Sequence, residues 1–329
     1  MGSKKLESGP VTVEDHTTHR VVGIDGAHFH CGVLVPCAKT YTTTYSKQLV
    51  DLLLAAKGSL YLMDEISREA DPKVLRQYLE KHILTHTSLN DKHVLDFGSG
   101  CGASSIQLAR MGAHRVTGVE IEGPYVKAAV ARAEECRVAD RVRFFHAPDT
   151  TALPFSDAAF DVASCSAVIE HIPPKDRRPI LREIWRTLRV GGFLFIRGTP
   201  NRLWPIDHHT TGLPLVPYLP LGLARQFAIR FSKRVDASQD VKELIVAGIR
   251  GSTFWEIKGA LPSASFVQRN PVQEFFSVSS IPLGLPKRSV RNAFWAGYTM
   301  LDRSLCKLLR IPVMAFLPEL RLVIKKGAP

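Results

Sequence analysis

Residues 94–102 read VLDFGSGCG and decide the fold. Residues 94–97 predict a short buried strand, the glycines predict a tight turn, and a helix is predicted to begin at about Ala103. Glycine permits backbone angles that other residues resist, and it lets a ligand lie against bare main chain. A strand, a turn and a helix in this order place a ligand at the carboxyl end of a parallel strand.

A second landmark follows roughly 20 residues later. Residues 115–119 predict another apolar strand, and Glu120 comes directly after it. A carboxylate at this distance from a glycine turn suits the two hydroxyls of a ribose. The pair of features therefore predicts a ligand that contains a nucleoside.

The spacing of the glycines distinguishes two cofactor classes. Dinucleotide sites favour G-x-G-x-x-G with a pyrophosphate at the helix N-terminus, whereas this chain has G-x-G-x-G with Asp96 two residues before the first glycine. An acid there is unfavourable for a pyrophosphate but suits an ammonium group. S-adenosylmethionine carries an ammonium group, a ribose diol and no phosphate. We therefore expect S-adenosylmethionine as cofactor, with a nicotinamide-dependent oxidoreductase as the alternative.

Further segments downstream carry a family resemblance. Together with VLDFGSGCG, they are VTGVE at 116–120, HAPDTTALPF at 146–155, FDVASCSAVIEHI at 160–172 and LRVGGFL at 188–194. In this order and spacing the chain resembles the class I S-adenosylmethionine-dependent methyltransferases, in particular the small-molecule group related to the ubiquinone-pathway C-methyltransferases. The resemblance spans about a third of the chain, and it indicates the cofactor better than the substrate.

The resemblance implies an α/β fold with a doubly wound, Rossmann-like sheet. That sheet is seven-stranded and mostly parallel, with an antiparallel last strand, and it is accompanied by N-terminal helices and a C-terminal insertion that forms a substrate cap. The alternation of predicted strands and helices between residues 94 and 197 favours the same architecture. The expected strands are 94–97, 115–119, 142–145, 160–164 and 193–197, and the expected helices are 103–111, 124–137 and 176–188.

The expected organisation has five parts. They are a disordered tail at 1–20, a helical cap segment at 21–90 with helices at 45–57 and 71–82, a core at 91–258, a helical insertion at 259–318 and the final core strand at 319–329. Within the core we expect a helix at 241–250 and a strand near 253–258. Residues 200–220 contain five prolines, which exclude one regular helix and predict an active-site loop.

The resemblance and the local chemistry together assign the cofactor contacts. They are Asp96, Gly98, Ser99, Gly100, Glu120, Ile121, Asp149, Thr150 and Ser166. Asp96 is expected near the methionyl ammonium, Glu120 on the ribose hydroxyls and Asp149 on the adenine amino group. The structural alternatives are an exposed strand end for Glu120 and a turn-forming role for Asp149.

Three histidines are candidates for a catalytic base. His171 follows the fourth strand, while His208 and His209 lie in the proline-rich loop beside Asp207, which is able to orient one of them. Packing or capping is the structural alternative for His171, and loop-stabilising hydrogen bonds are the alternative for the other two. An acidic or carbanionic acceptor needs no base.

No metal site is expected. His28, His30, Cys31 and Cys37 are close in sequence, but their spacing matches no standard zinc pattern. The chain also lacks a run of 18 apolar residues, so we expect no membrane-spanning helix and a cytoplasmic location.

The net charge of +12 is concentrated in the last third of the chain. Such a basic surface attracts anionic partners or is simply solvated. The apolar and basic stripes of residues 290–310 predict a helix, whose apolar stripe either packs in the core or, together with the basic side, contacts an anionic membrane peripherally. Nucleic acid is not expected as a substrate, because no base-flipping motif or RNA-binding module is present.

We therefore predict a methyltransferase that acts on a small hydrophobic or amphipathic acceptor: a lipid, an isoprenoid, a polyketide or a glycan. The alternative function is a catalytically inactive S-adenosylmethionine-binding regulatory protein of the same fold. The methylated atom and the oligomeric state stay open.

Overall fold

A computed structural model describes residues 11–24, 27–30, 33–36, 40–70, 72–268, 271–278, 288–301, 304, 306–309 and 311–328. The chain divides into two compact units, Met1–Ser164 and Cys165–Pro329.

The first unit begins with short antiparallel strands and continues with alternating helices and parallel strands. Its strands are β1 (Val11–Asp15), β2 (Arg20–Ile24), β3 (Ala27–His30), β4 (Val33–Pro36), β5 (Thr40–Thr43), β6 (His93–Phe97), β7 (Arg115–Glu120), β8 (Val142–His146) and β9 (Phe160–Ser166), which runs two residues past the unit boundary. Its helices are α1 (Lys47–Lys57), α2 (Ser59–Ala70), α3 (Pro72–Leu79), α4 (Ala103–Arg110) and α5 (Gly123–Glu135). A π-helical turn at Glu80–Leu84 follows α3.

The N-terminal part differs from the expectation. The prediction of a disordered tail at 1–20 is wrong for residues 11–20. In this range β1 pairs antiparallel with β2, and β2 pairs with β5. Apolar and polar residues alternate in VTVED of β1, so one face of the strand is half-buried, as strand formation requires. The segment at 21–90 is therefore part sheet and part helix. Helix α2 was also missed between the two helices that the sequence predicts.

The parallel core of the first unit agrees with the sequence. β6 pairs parallel with β7 from His93↔Arg115 to Phe97↔Val119, and β7 pairs parallel with β8 from Val116↔Val142 to Glu120↔His146. Both faces of a parallel sheet are covered by other elements, so the sequences of its strands are nearly continuous runs of apolar residues. This register brings Glu120 to the same edge of the sheet as the glycine turn after β6.

The N-terminal helices pack over the beginning of the glycine turn. Leu49, Val50 and Leu53 of α1 form one buried cluster with Cys101 of the turn and Ala128 of α5. Ser46 caps α1, because its side chain accepts a hydrogen bond from the Leu49 amide. Each buried aliphatic side chain of this kind contributes about 1.5–3 kcal/mol, so the cluster holds α1 against the turn.

The second unit contains the remaining strands and seven helices in the part of the chain that is described. The strands are β10 (Leu188–Pro200), β11 (Ile206–Asp207), β12 (Leu213–Pro214), β13 (Ala264–Phe266) and β14 (Glu319–Lys326). The helices are α6 (Pro174–Thr187), α7 (Leu221–Phe231), α8 (Val241–Val246), α9 (Phe254–Ala260), α10 (Pro271–Val278), α11 (Arg288–Leu301) and the short α12 (Lys307–Leu309). Short 3-10 helices lie at Ile169–His171, Val216–Tyr218 and Val313–Phe316.

The main sheet has seven strands in the order β13-β14-β10-β9-β6-β7-β8. β14 is antiparallel to both of its neighbours, whereas β6, β7 and β8 are parallel. The expected α/β, Rossmann-like sheet with an antiparallel last strand is confirmed.

Two expectations for the second unit are wrong. Residues 254–260 form helix α9 rather than a strand near 253–258, because the Thr253 side chain accepts from the Glu256 amide and caps a helix. The seventh strand is β13 instead, so the segment predicted as a purely helical insertion at 259–318 contains a strand of the core sheet. The proline-rich loop is irregular as expected, with a two-residue strand pair and one 3-10 turn.

The helix predicted at 290–310 is shorter in the structure. α11 ends at Leu301, and several positions beyond it, Arg303 and Arg310 among them, lie outside the described residues. None of the helices in the described part of the chain combines the length and the apolar composition that crossing a bilayer requires.

Candidate functional site

The glycine turn between β6 and α4 has an unusual backbone. Gly98, Gly100 and Gly102 have φ angles of 74°, 54° and 82°, which a side chain would disfavour. The amides of Gly98 and Ser99 donate to the Val119 carbonyl at 2.8 and 3.1 Å. The turn is thereby tied to the end of β7.

Glu120 fixes the turn from the neighbouring strand. Its Oε2 accepts from the Gly100 amide at 2.8 Å, and its Oε1 accepts from the amides of Ile121 and Glu122 at 2.8 and 3.2 Å. A carboxylate offers about four acceptor positions, two on each oxygen. Oε2 therefore keeps capacity for one more donor beside the bare main chain of Gly100.

Asp96 is more enclosed than the sequence analysis expected. It is 1 % exposed, and its Oδ2 accepts from the hydroxyls of Ser104 and Ser105, both at 2.6 Å. These hydroxyls belong to the first turn of α4, where a negative charge is favourable. Asp96 holds the helix start in place, and its expected contact with an ammonium group stays a prediction.

One residue beside the turn, Lys57, was not found from the sequence, and the predicted contact Ser99 has a distinctive environment. Lys57, at the end of α1, places Nζ 4.0 Å from where a Cβ on Gly100 would lie, and the same Nζ is 3.9 Å from the centre of the Tyr125 ring. The Oγ of Ser99 is buried and has no hydrogen-bond partner among the described residues. The turn thus presents a cation and an unused hydroxyl.

The expected adenine contacts follow the ends of β7 and β8 in the chain. Ile121 is an apolar side chain with 52 % exposure. Asp149 is exposed, and its Oδ1 accepts from the amide and hydroxyl of Thr151 at 2.8 and 2.6 Å. These hydrogen bonds from Thr151 lower the pKa of Asp149. Thr150 is buried. The turn-forming role of Asp149 is present, and its adenine contact stays a prediction.

In the second unit, the residues after β9 have a strained backbone. Ala167 has φ 54°, and its amide donates to the Arg197 carbonyl at 2.8 Å. A left-handed residue other than glycine costs about 1–2 kcal/mol. The Oγ of Ser166 accepts from Arg197 Nε at 3.2 Å. The predicted contact of Ser166 with the cofactor is therefore one that its main chain would make.

Two of the three candidate histidines come together with a glutamate. Ligand atoms of Glu170, His171 and His209 all lie within 4.8 Å of one another. His171 Nε2 is 3.8 Å from Glu170 Oε1, and the two imidazole rings are 5.6 Å apart between centroids. Glu170 is not among the catalytic candidates that the sequence predicts, although its position directly before His171 could have indicated it.

Burial controls the charge of this cluster. Burial raises the pKa of Glu170 to about 8, although the Thr199 hydroxyl and Arg177 act in the opposite direction. Burial also lowers the pKa of His209 to about 4, with further lowering by His171 and His208. His209 is therefore neutral near pH 7 and has one ring nitrogen with a free lone pair.

His208 and Asp207 belong to the loop rather than to this cluster. Asp207 Oδ1 accepts from the Thr210 amide, and Oδ2 accepts from the amide and hydroxyl of Thr211 at 2.9 and 2.8 Å. The carboxylate that was expected to orient a histidine therefore closes a turn. The carbonyl of His208 accepts from Arg234 Nη1 at 3.1 Å, and burial lowers the pKa of His208.

Comparison with known proteins agrees with this geometry. The sequence model of a family described as a methyltransferase domain matches residues 94–192. The O-methyltransferase rstn1 of Aspergillus nomiae is 30 % identical over 177 residues, which cover 51 % of this chain and 77 % of that protein. The 27-O-demethylrifamycin SV methyltransferase of Amycolatopsis mediterranei is 40 % identical over 101 residues, 31 % of this chain and 36 % of that protein.

A third relative is the ubiquinone biosynthesis O-methyltransferase of Psychrobacter cryohalolentis. It is 35 % identical over 114 residues, which cover 35 % of this chain and 43 % of that protein. The matches with the rifamycin and ubiquinone relatives thus span less than half the length of those proteins. The chain belongs to the S-adenosylmethionine-dependent methyltransferases.

The residues present fit that cofactor. Gly100 has bare main chain with open space around it, Glu120 Oε2 has an unused acceptor position, and Ser99 Oγ is an unpaired buried hydroxyl. Lys57 supplies the positive charge that a methionyl carboxylate needs. The exposed face of Ile121 is suited to the adenine ring.

Proposed function

We propose that this protein transfers a methyl group from S-adenosylmethionine to an oxygen atom of a small hydrophobic or amphipathic molecule. The observation that carries the proposal is the hydrogen bond from the Gly100 amide to Glu120 Oε2. It positions one carboxylate beside bare main chain and leaves Oε2 with one further acceptor position. The names of the fungal, rifamycin and ubiquinone relatives support methylation of small molecules, mostly at oxygen.

Binding of the cofactor is divided among residues of the first unit. Glu120 would accept a ribose hydroxyl on Oε2, Lys57 would pair with the methionyl carboxylate, and Ile121 would pack on adenine. When bound, S-adenosylmethionine supplies an electrophilic methyl carbon and a neutral thioether leaving group. The protein then mainly orients the reacting atoms and excludes water.

The acceptor is assigned to the second unit because of its exposed apolar surface. Leu203, Ile206, Leu215 and Tyr218 of the proline-rich loop are 40–57 % exposed. The Tyr218 hydroxyl donates to the Leu203 carbonyl at 2.6 Å, and the Leu215 amide donates to the Pro205 carbonyl at 2.6 Å. These contacts hold the loop in shape while its apolar side chains stay in solvent, so burial against an apolar ligand would stabilise a complex.

Proton removal from an acceptor hydroxyl is assigned to His171. Its Nδ1 hydrogen-bonds with the Val246 carbonyl at 2.6 Å, so Nδ1 carries the proton and Nε2 is the basic atom. The side chain is 42 % exposed, which leaves it accessible to a substrate.

Two measurements test the proposal. Calorimetry should detect binding of S-adenosylmethionine, and incubation with fractionated apolar metabolites should give products heavier by about 14 mass units, the net gain of one CH₂ in a methyl transfer. Release of S-adenosylhomocysteine without any methylated product would contradict the assignment of the acceptor. Binding without turnover on any acceptor would favour the inactive regulatory alternative.

A further inference from the structure

Glu170, His171 and His209 form a cluster that the cofactor site does not use. Glu170 and His171 lie in the short helix after β9, and His209 comes from the loop after β11. A Cβ on Gly248 would lie 2.7 Å from His209 Cδ2 and 3.4 Å from Glu170 Cγ. The glycine therefore lets its main chain close against two members of the cluster.

The orientation of His171 fixes where its lone pair points. A carbonyl oxygen can only accept, so the 2.6 Å contact with the Val246 carbonyl requires a proton on Nδ1. In the neutral ring Nε2 then carries the lone pair, and Nε2 lies 3.8 Å from Glu170 Oε1. Histidines that bind metals usually donate their other ring N–H to a carbonyl or carboxylate in this way.

Glu170 supplies the independent observation. It is 0 % exposed, and its Oε2 accepts from the Thr199 hydroxyl at 3.0 Å. Its Oε1 is buried without a hydrogen-bond partner among the described residues. Burying an unpaired carboxylate oxygen is costly, and this oxygen faces the electron-rich Nε2 of His171. A proton or a metal ion bound between the two atoms removes the conflict.

We propose that Glu170, His171 and His209 bind one divalent transition-metal ion. Two imidazoles and one carboxylate suit zinc, iron or cobalt, whereas calcium and magnesium prefer oxygen ligands alone. Ligands 2.0–2.2 Å from a tetrahedral ion lie about 3.4 Å apart, so the 3.8 Å pair needs only a small adjustment. Three protein ligands leave a position open for water or substrate.

The role of the ion rests on the proposed function, although its binding does not. With an ion bound, His171 Nε2 would be a metal ligand and could not act as the base assigned above. The ion would take over that role, because a divalent cation lowers the pKa of an oxygen group bound at the open position.

The test uses the full-length protein after chelator treatment. Titration with Zn²⁺ by calorimetry should show one ion per chain, and Co²⁺ should give the visible absorption bands of a nitrogen and oxygen ligand set. Glu170→Gln and His209→Ala should each weaken binding more than about tenfold, since even the loss of an outer-shell contact costs about 10–100-fold. His114→Ala removes an exposed histidine of the first unit and should leave both readouts unchanged.

Three outcomes would overturn the proposal. They are absence of binding to the wild-type chain, binding that Glu170→Gln and His209→Ala leave intact, and cobalt spectra that the variants do not change. Far-UV circular dichroism of each variant separates loss of the site from loss of the fold. Zinc binding that survives while S-adenosylmethionine fails to bind would retain the metal site and reject the proposed function.

Discussion

Carboxylates in the two units differ in how their charge is balanced. In the first unit, Glu120 accepts from three backbone amides, and the buried Glu65 contacts Arg132 at 2.7 Å and Arg68 at 2.9 Å. In the second unit, Glu170 is more deeply buried, and one of its oxygens has no partner among the described residues. The first unit balances these charges within the protein, whereas the proposed metal ion would balance the cluster around Glu170.

This difference separates two tasks. Donors that are already in place around Glu120 keep the glycine turn in its binding shape, so little order has to be gained when a ligand arrives. The second unit instead leaves an electron-rich cluster and an apolar loop available for whatever binds there. The predictions below test the charge compensation of the first unit, from the largest expected effect to the smallest.

Replacing Arg132, the cation of the buried pair with Glu65, should have the largest effect on stability. Arg132 is 1 % exposed, and besides Glu65 its Nη1 donates to the Cys101 carbonyl at 2.9 Å. Arg132→Met should lower the free energy of unfolding by about 3–5 kcal/mol, because Glu65 is left as an uncompensated buried charge. Urea denaturation measures the change. Arg143→Met, an exposed arginine of β8, serves as control, and an equal loss in both variants would contradict the prediction.

The same pair should make stability depend on pH. Burial pushes the pKa of Glu65 upward, but the guanidiniums of Arg132 and Arg68 hold it below its usual value. A lowered pKa means that the stabilisation is present above the unfolded-state pKa of about 4.3 and is lost as pH falls through the folded-state value. The difference in unfolding free energy between wild type and Glu65→Gln should therefore shrink between pH 5 and pH 3. A difference that stays constant over this range would refute the explanation.

Glu120→Gln should weaken cofactor binding without unfolding the protein. The amide removes the charge and turns one of the two acceptor oxygens into a donor, and a hydrogen bond to a charged group contributes about 1.5–3 kcal/mol. This corresponds to a loss of about 10–150-fold in affinity for S-adenosylmethionine, measured by calorimetry. The matched control is Glu122→Gln, an exposed carboxylate two residues away. If the control loses as much affinity, Glu120 does not hold the ribose.

Lys57→Met should have the smallest of these effects. The side chain keeps its length over Tyr125 but loses its charge beside Gly100. Affinity for S-adenosylmethionine should fall about fivefold, equivalent to about 1 kcal/mol for a half-exposed ion pair, and the wild-type affinity should decline with salt. Lys47→Met, at the exposed start of the same helix, should have no effect. Equal affinities for the wild type and Lys57→Met would remove Lys57 from the site.

Local sequence patterns predicted the centre of the fold, because their physical cause is local. Residues 94–102 contain both a buried strand and the glycines that the turn requires. These nine consecutive residues are therefore enough to predict strand β6, the turn and the start of helix α4. The position of Glu120 followed from its place at the end of a second apolar run. Its hydrogen bond to the Gly100 amide did not, because strand pairing sets that contact.

The missed features depend on distant contacts or on a single cap. Lys57 is 43 positions before Gly100 in the sequence, and only the packing of α1 brings the two together. The segment at 253–258 is rich in residues that favour strands, yet the Thr253 cap makes it a helix. The path of the proline-rich loop brings His209 close to His171. The distance between the two residues in the sequence does not predict this contact. Membrane contact through residues 290–310 and the cytoplasmic location stay predictions.

The ring of Phe144 has a consequence for how this protein can change. A Cβ on Gly118 would lie 2.5 Å from this ring, and a Cβ on Gly102 would lie 2.8 Å from it. One aromatic side chain on β8 thus fills the space that two glycines leave empty, one in a strand and one in the turn. These positions are therefore epistatic. A larger residue at Gly118 requires a smaller residue at position 144 and a shift of the Ser99 side chain, whereas the positive φ of Gly102 disfavours a side chain there in any case.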